Sequence, residues 1–266
     1  MRESGRLCGK YSYKAMFILP PDSDDLRFPP VHLASPDGLL AAGGDLRVTR
    51  LLEAYRHGIF PWYSEGQPIL WWSPDPRAVL YPAGLRIARS LRRTLRRGDY
   101  RVTLDTAFRA VMSACAGRRA GMPDDGESHT WITPAMVEAY ADLHDAGYAH
   151  SIEVWHDEDS EAVLAGGLYG VALGGAFFGE SMFSRRTNAS KIALVWLTRQ
   201  LSAWGFRFID CQLPSAHLFT MGATEISRRR FIAELQPALA LPDRTGRWTF
   251  DADFHPLADH HTAPSP

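Results

Sequence analysis

The sequence predicts an α+β fold in which a small N-terminal α/β domain, residues 1–75, precedes a larger domain, residues 76–266. Helical and strand patterns both occur, and the strand-like segments 162–169 and 171–178 follow each other directly, as in an antiparallel meander. A stretch rich in Trp and Pro separates the two parts. Because proline fixes φ and favours irregular backbone, we place the domain boundary near Asp75.

One helix is clear in the N-terminal part, at residues 48–57, with Gly58 after its end. Its apolar face consists of Leu51, Leu52 and Tyr55. Asp45 is predicted to cap the start of this helix, because an aspartate side chain accepts hydrogen bonds from free backbone N–H groups. The glycines before Asp45 lack the Lys-Ser or Lys-Thr that completes a phosphate-binding P-loop, so we interpret them as a turn.

In the larger part, apolar residues recur at strand spacing and at helix spacing in turn. Strands are predicted at residues 78–81, 101–104, 150–155, 162–169, 171–178 and 206–212. Helices are predicted at residues 87–97, 108–115, 133–146, 190–204 and 228–235. The polar segment 117–128 is predicted to be a loop, and residues 248–266 are predicted to be a loose tail.

The overall composition excludes several classes of protein. The net charge is -1, so the whole molecule is not a general polyanion binder, and any nucleic-acid contact has to come from a local patch. Apolar runs are shorter than the roughly 20 residues that span a bilayer. No secretory signal is apparent, so we expect a cytoplasmic protein. The three cysteines and the histidines near the C-terminus lack ligand spacing, so neither a disulfide framework nor a metal site is expected.

Asp210 and Gln212 are the main candidates for catalysis. They are two residues apart on the predicted strand 206–212, so their side chains should face the same side. The carboxylate only accepts hydrogen bonds, whereas the amide both donates and accepts them. Such a pair orients an amine without acting as a strong base, which suits a reaction whose electrophile is already activated. We expect Asp210 to orient the side-chain amide of Gln212.

Two further features admit both a structural and a functional interpretation. Glu180 follows the predicted strand 171–178, where pockets commonly form, but a lone carboxylate there is more often a hydrogen-bonded structural residue. Trp62, Trp71 and Trp72 either line a ligand surface or pack two domains together, and composition alone favours packing.

A basic cluster is predicted on the helix 87–97. The apolar stripe of this helix faces inward and leaves arginines on the exposed face. These are Arg89, Arg92, Arg93, Arg96 and Arg97. Arginines in this arrangement attract phosphates, although charge runs are often merely solvated. Because the chain is otherwise nearly neutral, we favour contact with a nucleic acid.

Eight segments with unusual sequences follow one another along the chain. They are residues 38–46, 58–62, 69–80, 130–133, 150–155, 166–184, 188–191 and 209–212. In these segments the chain resembles the bacterial leucyl/phenylalanyl-tRNA–protein transferases. The resemblance implies transfer of leucine, phenylalanine or methionine from aminoacyl-tRNA to proteins with N-terminal Arg or Lys, which marks them for degradation. It also implies that the larger domain resembles the acetyltransferase (GNAT) fold and that no metal or CoA is needed. Separately, we expect a monomer without membrane contact.

The resemblance also assigns roles to particular residues. Asp210 and Gln212 match a pair proposed for catalysis. The pocket for the aminoacyl side chain is matched by Leu168, Phe177, Glu180, Met182, Leu194 and Ile209. Trp62 and Trp131 match aromatic residues near the 3′ adenosine of tRNA, and the basic cluster matches the surface for the acceptor stem. Position 168 is Leu where Met is familiar in the family, a change that preserves volume and flexibility.

The residues alone leave two other functions open. A CoA-dependent N-acyltransferase would need a glycine-rich loop before the helix 190–204, and that signature is absent. A non-enzymatic RNA-binding module would use the basic cluster but would leave Asp210 and Gln212 without a role. For the transferase, an acidic group should recognise the N-terminal Arg or Lys of the acceptor, and Glu180 and Asp210 are both candidates.

Overall fold

The computed structural model describes residues 16–117, 132–158 and 161–258. The expectations for Trp131, for most of the polar loop 117–128 and for the end of the tail lie outside these residues. The described residues form a mixed α/β architecture with two mixed β-sheets and seven α-helices. None of these helices is long and apolar enough to cross a membrane.

The N-terminal part contains a four-stranded sheet that the sequence patterns do not reveal. Its strands are β1 (Phe17–Leu19), β2 (Leu39–Gly43), β3 (Phe60–Pro61) and β4 (Leu70–Trp72), in the order β1-β2-β4-β3. β1 runs parallel to β2, and the other pairs are antiparallel. Strands this short cannot display a clear alternation of apolar and polar residues, which explains why they were not predicted.

The helix α1 spans Val48–Arg56, close to its predicted bounds. Its buried face includes Leu51, Leu52 and Tyr55, as predicted. The predicted cap at Asp45 is wrong, because Arg47 occupies the N-cap position. The Asp45 carboxylate instead accepts a 3.0 Å hydrogen bond from the backbone N–H of Arg47 and a 3.2 Å bond from the buried Arg50 guanidinium. Asp45 therefore compensates a buried cation, which would otherwise be costly.

The larger sheet has seven strands among the described residues. They are β5 (Arg77–Leu80), β6 (Arg101–Leu104), β7 (Ala149–Glu158), β8 (Glu161–Leu173), β9 (Ala176–Ser184), β10 (Phe208–Gln212) and β11 (Thr224–Ile226). Their order is β11-β5-β10-β9-β8-β7-β6. Only β9 and β10 are parallel neighbours, because the helix α5 (Ala189–Ala203) crosses over between them. The carboxyl ends of β9 and β10 therefore lie side by side.

Helices pack against this sheet in two apolar clusters. The first, which we call the α4 layer, takes residues from α1, α3 (Phe108–Ala116), α4 (Pro134–Asp145) and α7 (Arg228–Leu239). The second, the α5 layer, takes residues from α2 (Arg89–Arg97) and α5. A short helix, α6 (Ala216–Thr220), follows β10.

Alternate side chains of β9 and β10 enter opposite layers. Phe178 and Phe208 belong to the α4 layer, whereas Phe177 and Ile209 belong to the α5 layer. This alternation is the normal period of a strand that is buried on both faces.

The predicted boundary between strands 162–169 and 171–178 is wrong, because β8 runs through it to Leu173 and residues 176–178 already belong to β9. β8 continues through Gly170, and the chain turns at Gly174 and Gly175. Gly170 lies next to a register shift in the pairing of β8 with β9, and a Cβ atom there would lie 2.2 Å from the carbonyl oxygen of Phe178. The glycine therefore allows close approach of two strands and does not end one.

The tail predicted from residue 248 onward is not loose in the part that the structure describes. Trp248 is 3% exposed, and its ring stacks on His150 with centroids 3.6 Å apart. Its backbone N–H donates a 2.7 Å hydrogen bond to the buried Asp105 carboxylate, which also binds Nδ1 of His150. Asp251 accepts a 2.7 Å bond from the Gln200 amide on α5. We call residues 248–258 the C-terminal strap, since they hold the end of the described chain against the α5 layer.

Removing the Trp248 ring should therefore destabilise the protein. We expect Trp248→Ala to lower the free energy of unfolding by about 3–5 kcal/mol, because a buried aromatic side chain and its stacking contacts are lost. Urea denaturation measures this change. Trp62→Ala is the matched control, because the Trp62 side chain is 38% exposed. Equal losses in the two variants would contradict the packing assigned to Trp248.

Candidate active site

The candidate site lies where the parallel strands β9 and β10 separate. Their backbone pairing ends at Phe178 opposite Asp210. Beyond that point a side-chain bond joins the two strands, since the amide Nε2 of Gln212 donates a 2.9 Å hydrogen bond to Oε1 of Glu180. The crevice beyond the carboxyl ends of parallel strands is a frequent position for ligands.

A local irregularity directs the side chain of Gln212. Its φ of 59° is in the left-handed region, and the register with β5 shifts between Asp210 and Gln212. The backbone N–H of Gln212 donates a 2.9 Å hydrogen bond to Oδ1 of Asp210. The sequence hypothesis gave Asp210 the side-chain amide of Gln212 as its partner, but that amide nitrogen is bonded to Glu180 and the Asp210 carboxylate is bonded to the backbone. A bulge of this kind re-aims a side chain, which a regular strand pattern does not predict.

The charge of Asp210 is compensated by Arg77, a residue that the sequence analysis missed. The Arg77 guanidinium donates to both carboxylate oxygens, at 2.8 Å and 2.6 Å, and both side chains are almost completely buried. Arg77 also donates to the backbone oxygen of Gly58 and lies against the rings of Phe60 and Phe231. Arg77 directly precedes the apolar strand predicted at residues 78–81, and a buried arginine needs a charged partner. This position in the sequence could have indicated a buried ion pair.

Glu180 is the centre of a second buried cluster. Tyr55 from α1 donates a 2.7 Å hydrogen bond to Oε1, and Tyr140 from α4 donates a 3.1 Å bond to Oε2. The two phenol oxygens also contact each other, but two hydroxyl protons can serve only two of these three contacts at a time. When both phenols donate to Glu180, its carboxylate accepts three side-chain hydrogen bonds, the third from the Gln212 amide. Sequence reasoning assigned Tyr55 to the apolar face of α1 and did not identify Tyr140.

The environment changes the acidity of this cluster. Burial raises the pKa of Glu180 to about 7, although the hydrogen bonds from the two tyrosines and Gln212 oppose the increase. Burial, together with the nearby Glu180 charge, raises the pKa values of Tyr55 and Tyr140 well above the usual range. Glu180 forms no ion pair with any Arg, Lys or His of the described residues, in contrast to Asp210. Nor do three His, Cys, Asp or Glu side chains converge as a metal site within those residues.

The predicted apolar pocket residues lie together in the α5 layer. They are Leu168, Phe177, Met182, Leu194 and Ile209. Met182 is only partly buried, so the cluster approaches the surface there. The tyrosine partners of Glu180 belong to the α4 layer instead. Of the six residues predicted for the pocket, the five apolar ones therefore belong to the α5 layer, whereas Glu180 is bound by side chains of the α4 layer.

The tryptophans of the N-terminal part separate into packing and surface residues. Trp71 is completely buried, and its Nε1 donates to the backbone oxygen of Gly43. Trp72 is also buried, and its ring lies 5.6 Å from that of Trp62. Only Trp62 of these three residues is exposed, so it is the one that remains available to a ligand.

The predicted basic cluster lies on the exposed face of α2. The buried residues of this helix are Leu91 and Leu95, and the cluster residues are exposed. Arg97 pairs with Asp99 at 3.0 Å. The other four arginines, Arg89, Arg92, Arg93 and Arg96, form no ion pair within the part of the chain that the structure describes. This surface is therefore free to contact an anionic partner.

Comparisons with known proteins agree on one family. The family model described as leucyl/phenylalanyl-tRNA protein transferase matches residues 79–236, and the model of its N-terminal domain matches residues 44–75. The leucyl/phenylalanyl-tRNA–protein transferase of Oleidesulfovibrio alaskensis is 56% identical over 236 residues, covering 88% of this chain and 94% of the relative. That of Syntrophobacter fumaroxidans is 59% identical over 213 residues, covering 80% of this chain and 88% of the relative.

Among solved structures, L-PGS from Bacillus licheniformis aligns with a TM-score of 0.35 and 12% identity, covering 66% of this chain and 53% of that chain. This similarity is too weak to support a shared fold.

Breaking the Arg77–Asp210 pair should be costly. We expect Arg77→Met to lower the free energy of unfolding by about 3–5 kcal/mol, because Asp210 is left as an uncompensated buried charge. Urea denaturation measures the loss. Arg109→Met is the control, since its ion pair with Glu138 lies at the surface and its loss should have a much smaller effect. An Arg77→Met protein as stable as the wild type would refute the assigned role.

Proposed function

We infer that this chain, which belongs to the leucyl/phenylalanyl-tRNA protein transferase family, is an aminoacyltransferase that moves leucine or phenylalanine from aminoacyl-tRNA to a protein. The acceptor is the α-amine of a protein that begins with Arg or Lys, and methionine is a further donor residue. One observation carries the assignment of the site. Gln212 is held by its amide nitrogen at the junction of β9 and β10, and no donor among the described residues contacts its carbonyl oxygen.

The reaction needs alignment more than strong activation. An aminoacyl ester is already a reactive electrophile, and a well-placed amine gains most from orientation. The Gln212 carbonyl oxygen accepts a hydrogen bond from the attacking amine. Asp210 contributes indirectly, because it binds the backbone N–H of Gln212 and fixes the irregular turn of β10. A C–N bond forms, the C–O bond to the ribose breaks, and the ribose oxygen receives a proton from the amine.

The apolar residues of the α5 layer form the pocket for the aminoacyl side chain. Leu168, Phe177, Leu194 and Ile209 make its buried part, and the half-buried Met182 lies towards its opening. Glu180 lies beyond this pocket at the carboxyl end of β9, where its tyrosine partners belong to the α4 layer. A pocket of this composition favours unbranched or γ-branched apolar side chains, and it distinguishes residues that differ by one methylene by about 1–3 kcal/mol.

The tRNA contacts the protein through aromatic and basic side chains. Trp62 and Trp131 stack on the 3′ adenosine, and stacking on one aromatic ring is worth about 1–3 kcal/mol per base. The basic cluster on α2 holds the phosphates of the acceptor stem. Its exposure, and the absence of ion pairs at four of its arginines within the described residues, support this role.

The domain organisation and the cellular setting complete the proposal. Residues 76–266 form an acetyltransferase-like domain, and residues 1–75 form a smaller N-terminal domain. The parallel pair β9 and β10 in an otherwise antiparallel sheet supports the likeness to acetyltransferases. The protein acts as a monomer in the cytoplasm, where aminoacyl-tRNA is made, and its products are marked for degradation by their new N-terminal residue.

Transfer from charged tRNA tests the function directly. Purified protein should move labelled leucine from leucyl-tRNA to a peptide with N-terminal Arg, and it should leave a peptide with N-terminal Ala unlabelled. Gln212→Ala should reduce the rate while the far-ultraviolet circular dichroism stays unchanged and the protein remains folded at the assay temperature. If neither peptide is labelled by folded protein that still binds tRNA, the RNA-binding alternative is correct. Full turnover by Gln212→Ala would refute the role of Gln212.

Neutralising the basic cluster tests the tRNA surface. We expect Arg92→Gln, Arg93→Gln and Arg96→Gln together to weaken tRNA binding and to flatten its dependence on salt. The slope of log K against log salt should fall by about 2–3, since each phosphate contact contributes about 0.7–0.9. Binding titrations at several salt concentrations give this slope. The matched control replaces three exposed arginines that have ion pairs, Arg27, Arg109 and Arg230. The same slope in both triple variants would exclude α2 from the interface.

A further inference from the structure

We propose that Glu180 is the proton acceptor for the α-amine of the acceptor protein, and that Tyr55 and Tyr140 are positioning residues that hold its carboxylate in place. This inference rests on the proposed function, because it assigns a step of that reaction to the same site. It also separates the roles of the two buried carboxylates, Glu180 and Asp210.

Asp210 is poorly suited to accept a proton. Both of its oxygens accept hydrogen bonds from the Arg77 guanidinium, and Oδ1 also accepts the backbone N–H of Gln212. A bidentate guanidinium occupies both oxygens of a carboxylate, so neither Asp210 oxygen is left free to contact a substrate amine. The Asp210 side chain is completely buried and already has a cation as its partner. A substrate ammonium group would have to compete with Arg77 for it.

Glu180 has the opposite environment. It is buried, and its hydrogen-bond partners among the described residues are neutral groups, the two phenols and the Gln212 amide. No Arg, Lys or His of the described residues forms an ion pair with this carboxylate. An incoming ammonium group would therefore not have to displace a cation from it. Burial raises the pKa of Glu180 to about 7. An α-amine has a pKa of about 7.7–8.0, so the two groups are closely matched, which favours proton transfer near neutral pH.

Glu180 is also within reach of the reacting amine. Gln212 contacts Glu180 through Nε2, while the proposed function uses Oε1 of the same amide to bind the amine. The nitrogen and the oxygen of one amide are close together. An amine bound to Oε1 therefore lies near Glu180, at a distance that a direct contact or a single water molecule spans.

The step balances as follows. One proton passes from the ammonium group to a carboxylate oxygen of Glu180, which leaves a neutral amine and a neutral carboxylic acid. The amine then attacks the ester carbon, the C–O bond to the ribose breaks, and one further amine proton passes to the ribose oxygen. Glu180 returns its proton to water before the next cycle.

Other ionisable groups surround Glu180 from several elements. They are Tyr55 on α1, Tyr140 on α4, Tyr169 on β8, Asp210 on β10, Arg77 on β5 behind Asp210, and Cys115 on α3 beside Tyr169. The pKa values of the three tyrosines are raised well above their usual range, mainly by burial, so the phenols stay neutral around pH 7. The ability of Glu180 to accept a proton is lost as the pH falls below its pKa of about 7.

The first experiment compares wild type and Glu180→Gln by kcat/KM for an Arg-terminal peptide between about pH 6 and 9.5. At pH 7 we expect a deficit of about five- to tenfold, because an α-amine with a pKa of about 7.7–8.0 is only about 10–20% neutral there without help. Towards pH 9 the deficit should nearly disappear, because almost all of the amine is then neutral. A deficit that is the same at every pH would overturn the proposal.

The Michaelis constants separate proton transfer from binding. Glu180→Gln should act mainly on kcat. A raised KM for the Arg peptide with an unchanged kcat would show that Glu180 binds the cationic side chain of the acceptor, and it would overturn the role in proton transfer. Wild-type protein that transfers nothing overturns the proposed function together with this inference. Wild-type transfer with a constant deficit in Glu180→Gln overturns this inference alone.

Tyr55→Phe and Tyr140→Phe test the positioning role. Each phenol bond lowers the pKa of Glu180, so removing either one should move the rising limb of the pH profile to higher pH. Tyr169→Phe is the matched control, because the buried Tyr169 hydroxyl has no hydrogen-bond partner among the described residues. Its profile should match that of the wild type. If the limb stays in place in Tyr55→Phe and Tyr140→Phe, the two tyrosines do not position Glu180.

Discussion

The buried ion pair between Arg77 and Asp210 is the interaction on which the candidate site depends. It joins β5 to β10, and a further bond from Arg77 reaches the backbone of Gly58 behind α1. Two buried charges are stable only while their hydrogen bonds to each other remain intact. The pair therefore fixes the relative positions of β5, β10 and the backbone at Gly58. The turn that directs Gln212 follows from this restraint, because its backbone N–H completes the hydrogen bonds of the same carboxylate.

Two carboxylates within one site differ because their neighbours differ. Asp210 has a guanidinium as its partner, whereas Glu180 has two phenols and an amide. Buried carboxyl groups with contrasting surroundings can divide structural and acid–base roles between them, as in several well-understood enzymes. Gln212 connects the two environments, since its backbone N–H binds the Asp210 carboxylate and its side-chain amide binds the Glu180 carboxylate.

Much of the larger part could be predicted because its signals are local. The strand Arg101–Leu104 has its predicted bounds, and α2 ends before Gly98, which takes the left-handed conformation expected of a terminating glycine. Asp210 and Gln212 could be chosen as candidates from residue type and spacing, and the structure places both at the end of β10. The roles of Arg77 and Tyr140 could not, because each depends on a partner far away in the sequence. The same limitation explains the tail, where Trp248 packs on a residue of a distant strand.

The C-terminal strap has a consequence for the protein during its synthesis. Trp248 belongs to the same apolar cluster as Leu168, Phe177 and Leu194, three residues of the proposed pocket. A ribosome releases the chain from its N-terminus, so this cluster stays open until Trp248 has left the exit tunnel. A nascent chain attached to the ribosome would therefore lack a finished pocket while charged tRNA is abundant around it. The apolar cluster that contains the proposed pocket therefore closes only after Trp248 has been synthesised and has left the tunnel.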